Sequence, residues 1–271
     1  VRSIFDIVFH LMLSVVPIRA FADNYIWRIQ NDEWPGFTVV VDPGDADPVI
    51  NNLDQHGLAL SAILITHHHS DHVGGICRLI EVYGDVPVFG PAHERIPGIT
   101  QRLGEGDLVT VPAMDIYFQV LDVPGHTAGH IAYFGYGALF CGDTVFAGGC
   151  GRIFDGTFEQ LAASLQRIAK LPPQTLIYCA HEYTVDNLGF AKWVEPENPD
   201  LLRRDKTDVM LAEQGKPTVP STLELELKTN PFLRLNIPTV VSLAEQKVGR
   251  PLAFPYDVFK VLRQWKDSEY D

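Results

Sequence analysis

Short apolar runs recur through the first two thirds of the chain, at residues 25–29, 37–41, 62–65, 116–121, 131–134, 138–141 and 175–179. Runs of this length bounded by turn residues predict strands. The turns fall at 42–44 (Asp-Pro-Gly), 104–107, 124–125 (Pro-Gly) and 148–149 (Gly-Gly). Helical spacing appears at 48–56, 72–82 and 158–170, the last with Leu161, Leu165, Ile168 and Ala169. This mixture predicts sheets covered by helices, with polar residues delivered at strand ends. Beyond about residue 180 the character changes. Residues 201–214 and 221–228 read as helices, Asn230-Pro231 and Ile237-Pro238 break the pattern, and a last helix over 256–266 starts near Pro255. Val258, Phe259, Leu262 and Trp265 sit at helical spacing there. The expectation is an α+β chain ending in a helical domain of roughly 90 residues.

Composition narrows the function classes. With 46% hydrophobic residues in 271, the chain can bury a substantial core, which excludes general disorder. Setting 34 acidic residues against 21 basic ones leaves a net charge of -13. That argues against nucleic acid or an anionic membrane as partner, and an anionic substrate would need a local basic patch. The four cysteines, Cys77, Cys141, Cys150 and Cys179, form no CxxC pair, and the cytoplasm is the expected compartment. The apolar start, residues 1–16, makes a poor export signal: Arg2 is a thin basic start, Asp6 and His10 interrupt it, and no small-residue cleavage site precedes the strand-like 15–18. An initial Val1 followed by Met12 suggests that residues 1–11 are an upstream extension. No later apolar run is long enough to span a bilayer.

Candidate chemistry begins at Thr66-His67-His68-His69-Ser70-Asp71-His72, directly after the apolar run 62–65. Imidazole and carboxylate groups this dense surround a metal such as zinc, or else form a solvated histidine-rich loop. More polar residues follow other apolar runs: His126 in Gly125-His126-Thr127, Asp143 in Gly142-Asp143-Thr144, and His181 after 175–179. Any one of these has an ordinary explanation in a surface histidine or a turn-capping carboxylate; together they make coincidence a poor account. Serine catalysis is weaker, since Ser70 lacks a GxSxG elbow, and Cys141 is a strand-core residue.

With these residues the chain resembles the metallo-beta-lactamase superfamily and, within it, the glyoxalase II (hydroxyacylglutathione hydrolase) family, whose HxHxDH signature stands here as His67, His69, Asp71 and His72. The resemblance implies a four-layer αβ/βα fold over residues 12–180 and a helical substrate-binding domain over 181–271 that contributes His181. It implies two divalent ions, zinc first and iron or manganese as alternatives. His67, His69 and His126 would hold one, Asp71, His72 and His181 the other, and Asp143 would bridge them. Two ions less Asp71, Asp143 and a hydroxide leave about one positive charge, which favours the hydroxide and a tetrahedral intermediate. Asp71 could also orient or deprotonate the attacking water.

The implied reaction is hydrolysis of S-D-lactoylglutathione, or a related glutathione thioester, to glutathione and D-lactate. Thiolate, with an ordinary thiol pKa near 8.5, leaves without a strong acid. Arg152 and Tyr183 match substrate-binding positions of the family, as do Arg263 and Lys266, three residues apart on the last helix. Each has a plainer reading, as a salt-bridging, packed or solvated side chain. Phe154 departs from relatives that carry a tyrosine there and removes a polar contact. His68 should project away from the site, His130 should support it, and His10, His56, His93 and Arg234 read as surface or structural. The alternatives are another hydrolase of the fold, such as a beta-lactamase or nuclease, a persulfide dioxygenase, or a metal-stabilised binding protein with closed coordination shells. A monomer is expected.

Overall fold

A computed structural model describes residues 13–270; the proposed extension, residues 1–11 with His10, lies outside the described residues. The chain divides into two compact units. One runs to Asp122 and includes Gly129–Gly142, while the other takes Val123–Ala128 and everything from Asp143 onward.

In the first unit, β1 (Leu13–Ala20) and β2 (Asn24–Asn31) pair antiparallel from Leu13↔Asn31 to Ala20↔Asn24. Strand β3 (Phe37–Val41) runs antiparallel to β2. Helix α1 (Ala46–His56) then crosses over to β4 (Ala59–Leu64), which pairs parallel to β3. Its start is fixed by Asp45, whose carboxylate accepts from the Asp47 amide at 3.0 Å, and it stops at Gly57, where φ is 63°. Val49 and Leu53 face the core, each full burial contributing about 1.5–3 kcal/mol.

The helix predicted at 72–82 is two helices, α2 (Ser70–Val73) and α3 (Ile76–Tyr83). Gly74 and Gly75 separate them because the backbone there meets the preceding turn. A Cβ on Gly74 would lie 2.5 Å from the Gly44 carbonyl oxygen, and one on Gly75 would lie 2.4 Å from that of Pro43. Strands β5 (Val88–Pro91) and β6 (Gln101–Leu103) complete the sheet in the order β1-β2-β3-β4-β5-β6. Strands β7 (Leu108–Val111), β8 (Ile116–Asp122), β9 (Ile131–Gly135) and β10 (Ala138–Gly142) then follow as antiparallel neighbours.

The second unit opens with a small hairpin, β11 (Val145–Phe146) and β12 (Gly149–Cys150), turned at Ala147-Gly148, one residue ahead of the expected Gly148-Gly149, because Gly149 already pairs with Phe146. Helix α4 (Phe158–Ile168) has a capping box between Thr157 and Gln160. After β13 (Leu176–Cys179) come α5 (Thr184–Val194) and α6 (Pro199–Glu213). Helix α5 has no sequence signal because its buried face includes the polar Thr184 and Asn187 while the apolar Val185 and Trp193 lie on the exposed side. The helix expected at 221–228 instead begins as β14 (Ser221–Thr222), paired with β13, and continues as α7 (Leu223–Thr229). Pro238, read from the sequence as a break, opens α8 (Pro238–Val248), since proline at a first helical position loses no hydrogen bond. Helix α9 (Pro255–Trp265) starts at Pro255 as expected.

A buried ion network holds this unit together. Arg204 on α6 donates to Glu226 at 2.7 Å and to Thr229 and Asp208 at 2.7 and 3.1 Å. Glu226 accepts in turn from the Gly148 amide at 2.8 Å, from Asn230 at 3.1 Å and from the Ser221 hydroxyl, which anchors the hairpin turn. Removing one member of such a buried pair leaves the other charge unsatisfied. Glu226→Ala is therefore expected to cost about 3–5 kcal/mol in urea unfolding.

Among the described residues no helix is long and apolar enough to cross a membrane.

Candidate metal centre

In the first unit β4 ends at Leu64, and Thr66, two residues on, is tied to Asp42. The Asp42 carboxylate accepts from the Thr66 amide at 2.8 Å, from its hydroxyl at 2.7 Å and from His72 Nδ1 at 3.1 Å. Asp42 was legible in the sequence only as part of a turn, yet it is a polar residue at a strand end, as the expected ligands are. Its backbone is left-handed, at φ 52°, a conformation aspartate tolerates.

This one carboxylate sets two tautomers. The Thr66 hydroxyl gives its proton to Asp42, so His67 Nδ1, 3.1 Å from that hydroxyl, is the donor to it. His67 Nε2 therefore carries a lone pair. His72 Nδ1 likewise donates to Asp42, and His72 Nε2 carries a lone pair 3.4 Å from Asp71 Oδ2. His67 and His72 are buried, and ligand atoms of Asp42, His67 and His72 lie within 4.8 Å of one another. His69 packs edge-on to His67, with ring centroids 4.7 Å apart, and His130 stacks on the His67 ring at 4.6 Å. His68 turns away and pairs with Glu94 at 3.0 Å.

In the second unit His126, Asp143 and His181 converge. Gly125 carries the turn before His126 at φ 146°, where a Cβ would fall 2.4 Å from Leu161. His126 Nδ1 donates to the Arg152 carbonyl at 2.7 Å, which leaves its Nε2 with the lone pair, 3.4 Å from Asp143 Oδ2. His181 Nε2 lies 3.4 Å from the same oxygen. Gly151 fits beneath them because any Cβ would sit 2.0 Å from the Asp143 carbonyl oxygen.

These sets fit metal. Ligand bonds of roughly 2.0–2.2 Å place donor atoms about 3.3–3.6 Å apart around a tetrahedral ion. Each of the three imidazole–carboxylate separations is 3.4 Å, and outer hydrogen bonds hold His72 and His126 in the ligand tautomer.

The expected substrate residues lie in the second unit. Tyr183 stacks on His181, rings 4.8 Å apart and nearly parallel. The Arg152 side chain is 55% exposed and reaches Asp267 at 3.9 Å, so its backbone rather than its charge touches His126. Phe154 stands 65% exposed, edge-on to His126. Arg263 is 1% exposed: it donates to the Cys150 carbonyl at 3.0 Å and to Asp267 at 2.8 and 3.1 Å. Lys266 is buried and reaches Asp186 at 3.4 Å.

Burial pushes the Cys150 thiol up to about 11 despite the neighbouring Arg263 guanidinium, and the Cys179 thiol up to about 12. Cys141 is buried as well, and only Cys77 is exposed. Iodoacetamide at pH 8 is accordingly expected to label Cys77 alone in the native protein and all four cysteines in urea, as counted by mass spectrometry.

Family models match two stretches of the chain. Residues 32–181 match the metallo-beta-lactamase superfamily, and residues 182–269 match the hydroxyacylglutathione hydrolase C-terminus. The hydroxyacylglutathione hydrolase of Nitrosomonas eutropha is 51% identical over 95% of this chain and 99% of its own length. That of Alkalilimnicola ehrlichii is 53% identical over 95% of this chain and 100% of its own. The chain belongs to the hydroxyacylglutathione hydrolase family. A solved relative, TTHA1623 in a di-iron-bound form, is 27% identical over 81% of this chain and 100% of that one, with a TM-score of 0.56. The metallo-beta-lactamase fold with a helical C-terminal region, expected from the motifs, is the fold of this hydroxyacylglutathione hydrolase family member.

Proposed function

We propose that the chain hydrolyses S-D-lactoylglutathione to glutathione and D-lactate at a centre of two divalent ions. The observation that carries this reading is family membership over nearly the whole chain, together with imidazole–carboxylate sets spaced for metal. The chain is a metal-dependent hydrolase. Following the motif, His67, His69 and His126 serve one ion, Asp71, His72 and His181 the other, and Asp143 both. Zinc is the proposed ion; iron remains the alternative that the di-iron form of TTHA1623 supports, and manganese the third choice. When bound, such ions supply an activated water and polarise the thioester carbonyl.

The protein's own part is orientation. His67, His72 and His126 each present Nε2 because Thr66, Asp42 and the Arg152 carbonyl occupy the opposite nitrogen. Asp71 and Asp143 supply negative charge beside the imidazoles, and Asp71 is the proposed partner for the attacking water. Arg152, Tyr183, Arg263 and Lys266 are the proposed contacts to the glutathione portion. Arg152 and Tyr183 carry exposed surface for it, while Arg263 and Lys266 place two cations beside Asp267 and Asp186. Residues 12–180 form the proposed catalytic domain and 181–271 the substrate-binding domain, which the adjoining family matches support. Action as a monomer in the cytoplasm completes the reading, the compartment being supported by four cysteines that form no disulfide.

The test is turnover of S-D-lactoylglutathione by protein of measured metal content, alongside Arg263→Ala/Lys266→Ala. Metal-dependent release of glutathione, with a KM raised on the order of a hundredfold in the double variant, is the expected result; two cationic contacts at about 1.5 kcal/mol each would produce it. Two bound ions with this thioester untouched would pass the assignment to another hydrolase of the fold.

A further inference from the structure

Asn24 is used by nothing described so far. It is the first residue of β2, buried, and its side-chain amide donates to Asp71 Oδ2 at 2.9 Å. The same nitrogen lies 3.4 Å from the Asp71 carbonyl oxygen. Asp71 is 47 residues away in sequence, so no local geometry produces this contact.

Two further features aim it. Asn24 closes the β1–β2 hairpin opposite Ala20, and the connection of three residues includes Phe21 in left-handed backbone, at φ 51°. A bulky residue holds that conformation only where its surroundings demand it. On the other side, Gly44 presses against the Asp71 backbone so closely that a Cβ there would fall 1.7 Å from the Asp71 carbonyl oxygen. Asp71 is thus clamped through its main chain by Gly44 and through its carboxylate by Asn24, while Oδ2 stands 3.4 Å from His72 Nε2.

We propose that Asn24 is a positioning residue for the metal centre: its amide fixes the rotamer in which the Asp71 carboxylate serves the same ion as His72. This rests on the reading of Asp71 and His72 as ligands. A carboxylate on a four-residue helix at the end of a histidine loop has rotamers that point to solvent, and its side chain is 38% exposed. An amide donor held by a sheet selects one of them and disfavours the rest, as outer hydrogen bonds do for metal ligands generally. The hairpin thereby acquires a role in metal retention that its distance in sequence from the histidine segment conceals.

The test measures zinc binding directly, by titrating the metal-free protein with Zn2+ against a chromophoric chelator, with circular dichroism to establish folding. Wild type, Asn24→Ala, Asn24→Leu, Asp71→Ala and Asn24→Ala/Asp71→Ala are compared. Asn24→Leu keeps the volume of the buried side chain should Asn24→Ala fail to fold. The expected result is an unchanged first ion and a second ion bound about 10–100-fold more weakly in either single Asn24 variant. In the Asp71→Ala background, Asn24→Ala adds nothing further. Wild-type affinity for both ions in a folded Asn24 variant overturns the proposal, as does an equal loss with Asp71 absent, which would mark a general structural role. If Asp71→Ala itself keeps wild-type affinity for two ions, the ligand assignment is wrong and the inference goes with it, an outcome distinct from the first two.

Discussion

Asp143→Ala is expected to lower kcat/KM for the glutathione thioester by roughly three orders of magnitude and to leave fewer than two ions per chain. Asp143 Oδ2 lies 3.4 Å from both His126 Nε2 and His181 Nε2, so its removal strips the shared anion from two imidazoles at once. A metal acting as Lewis acid supplies several kcal/mol of transition-state stabilisation, and about 4 kcal/mol is a factor of roughly a thousand in rate. The metal-free protein should fold as well as wild type, because the loss falls on binding and not on packing. Asp143→Asn separates charge from shape: it keeps the volume and should still lose most of the activity. Metal analysis with steady-state kinetics checks both variants, and an active Asp143→Ala protein holding two ions would remove Asp143 from the centre.

Asp42→Asn should have the second largest effect, although Asp42 is a proposed ligand of neither ion. The native carboxylate accepts from three donors: the Thr66 amide, the Thr66 hydroxyl and His72 Nδ1. An asparagine amide offers one accepting oxygen and a nitrogen that can only donate. If the oxygen stays on the Thr66 amide, the new NH2 faces His72 Nδ1, which must then give up its proton. His72 moves that proton to Nε2, the nitrogen meant for metal. The reverse orientation sets two donors against each other at Thr66. We expect about 1–3 kcal/mol of lost stability and a 10–100-fold loss of metal affinity. The decisive readout is the 15N chemical shift of the His72 ring in the metal-free protein: native tautomer in the variant would refute the account, whatever the activity.

The candidate metal ligands were readable from residue order because they follow a chemical rule. Each expected ligand sits just after an apolar run, and a strand end is where a buried sheet can deliver a polar group to a cleft. His67, His126, Asp143 and His181 all obey it. The same rule passes through Asp42, yet a turn of Asp-Pro-Gly has a sufficient local explanation, and nothing in the sequence says that its carboxylate reaches Thr66 and His72. Asn24 carries even less signal. Arg152 shows the opposite case, since its charge drew attention while its backbone carbonyl makes the contact with His126.

Secondary structure divides along the same line. Segments such as 37–41 and 131–134 were legible as short continuous apolar runs, since consecutive residues there are buried, and 158–168 because burial on one face writes a helical period into the residues. Helix α5 was not, since its buried face carries the polar Thr184 and Asn187 while the apolar Val185 and Trp193 are exposed, and neither was the break between α2 and α3, which depends on the approach of Gly44 and Pro43 to Gly74 and Gly75. By itself, then, the sequence determined the family, the α+β class and the residues able to bind metal, since side-chain chemistry and periodicity are properties of the chain. Only the tertiary structure decided which ring nitrogen of His67, His72 and His126 holds the proton, which carboxylate enforces it at His72, and which hairpin holds Asp71, because a hydrogen bond between residues 24 and 71 or 42 and 72 exists only after folding has closed the intervening loop.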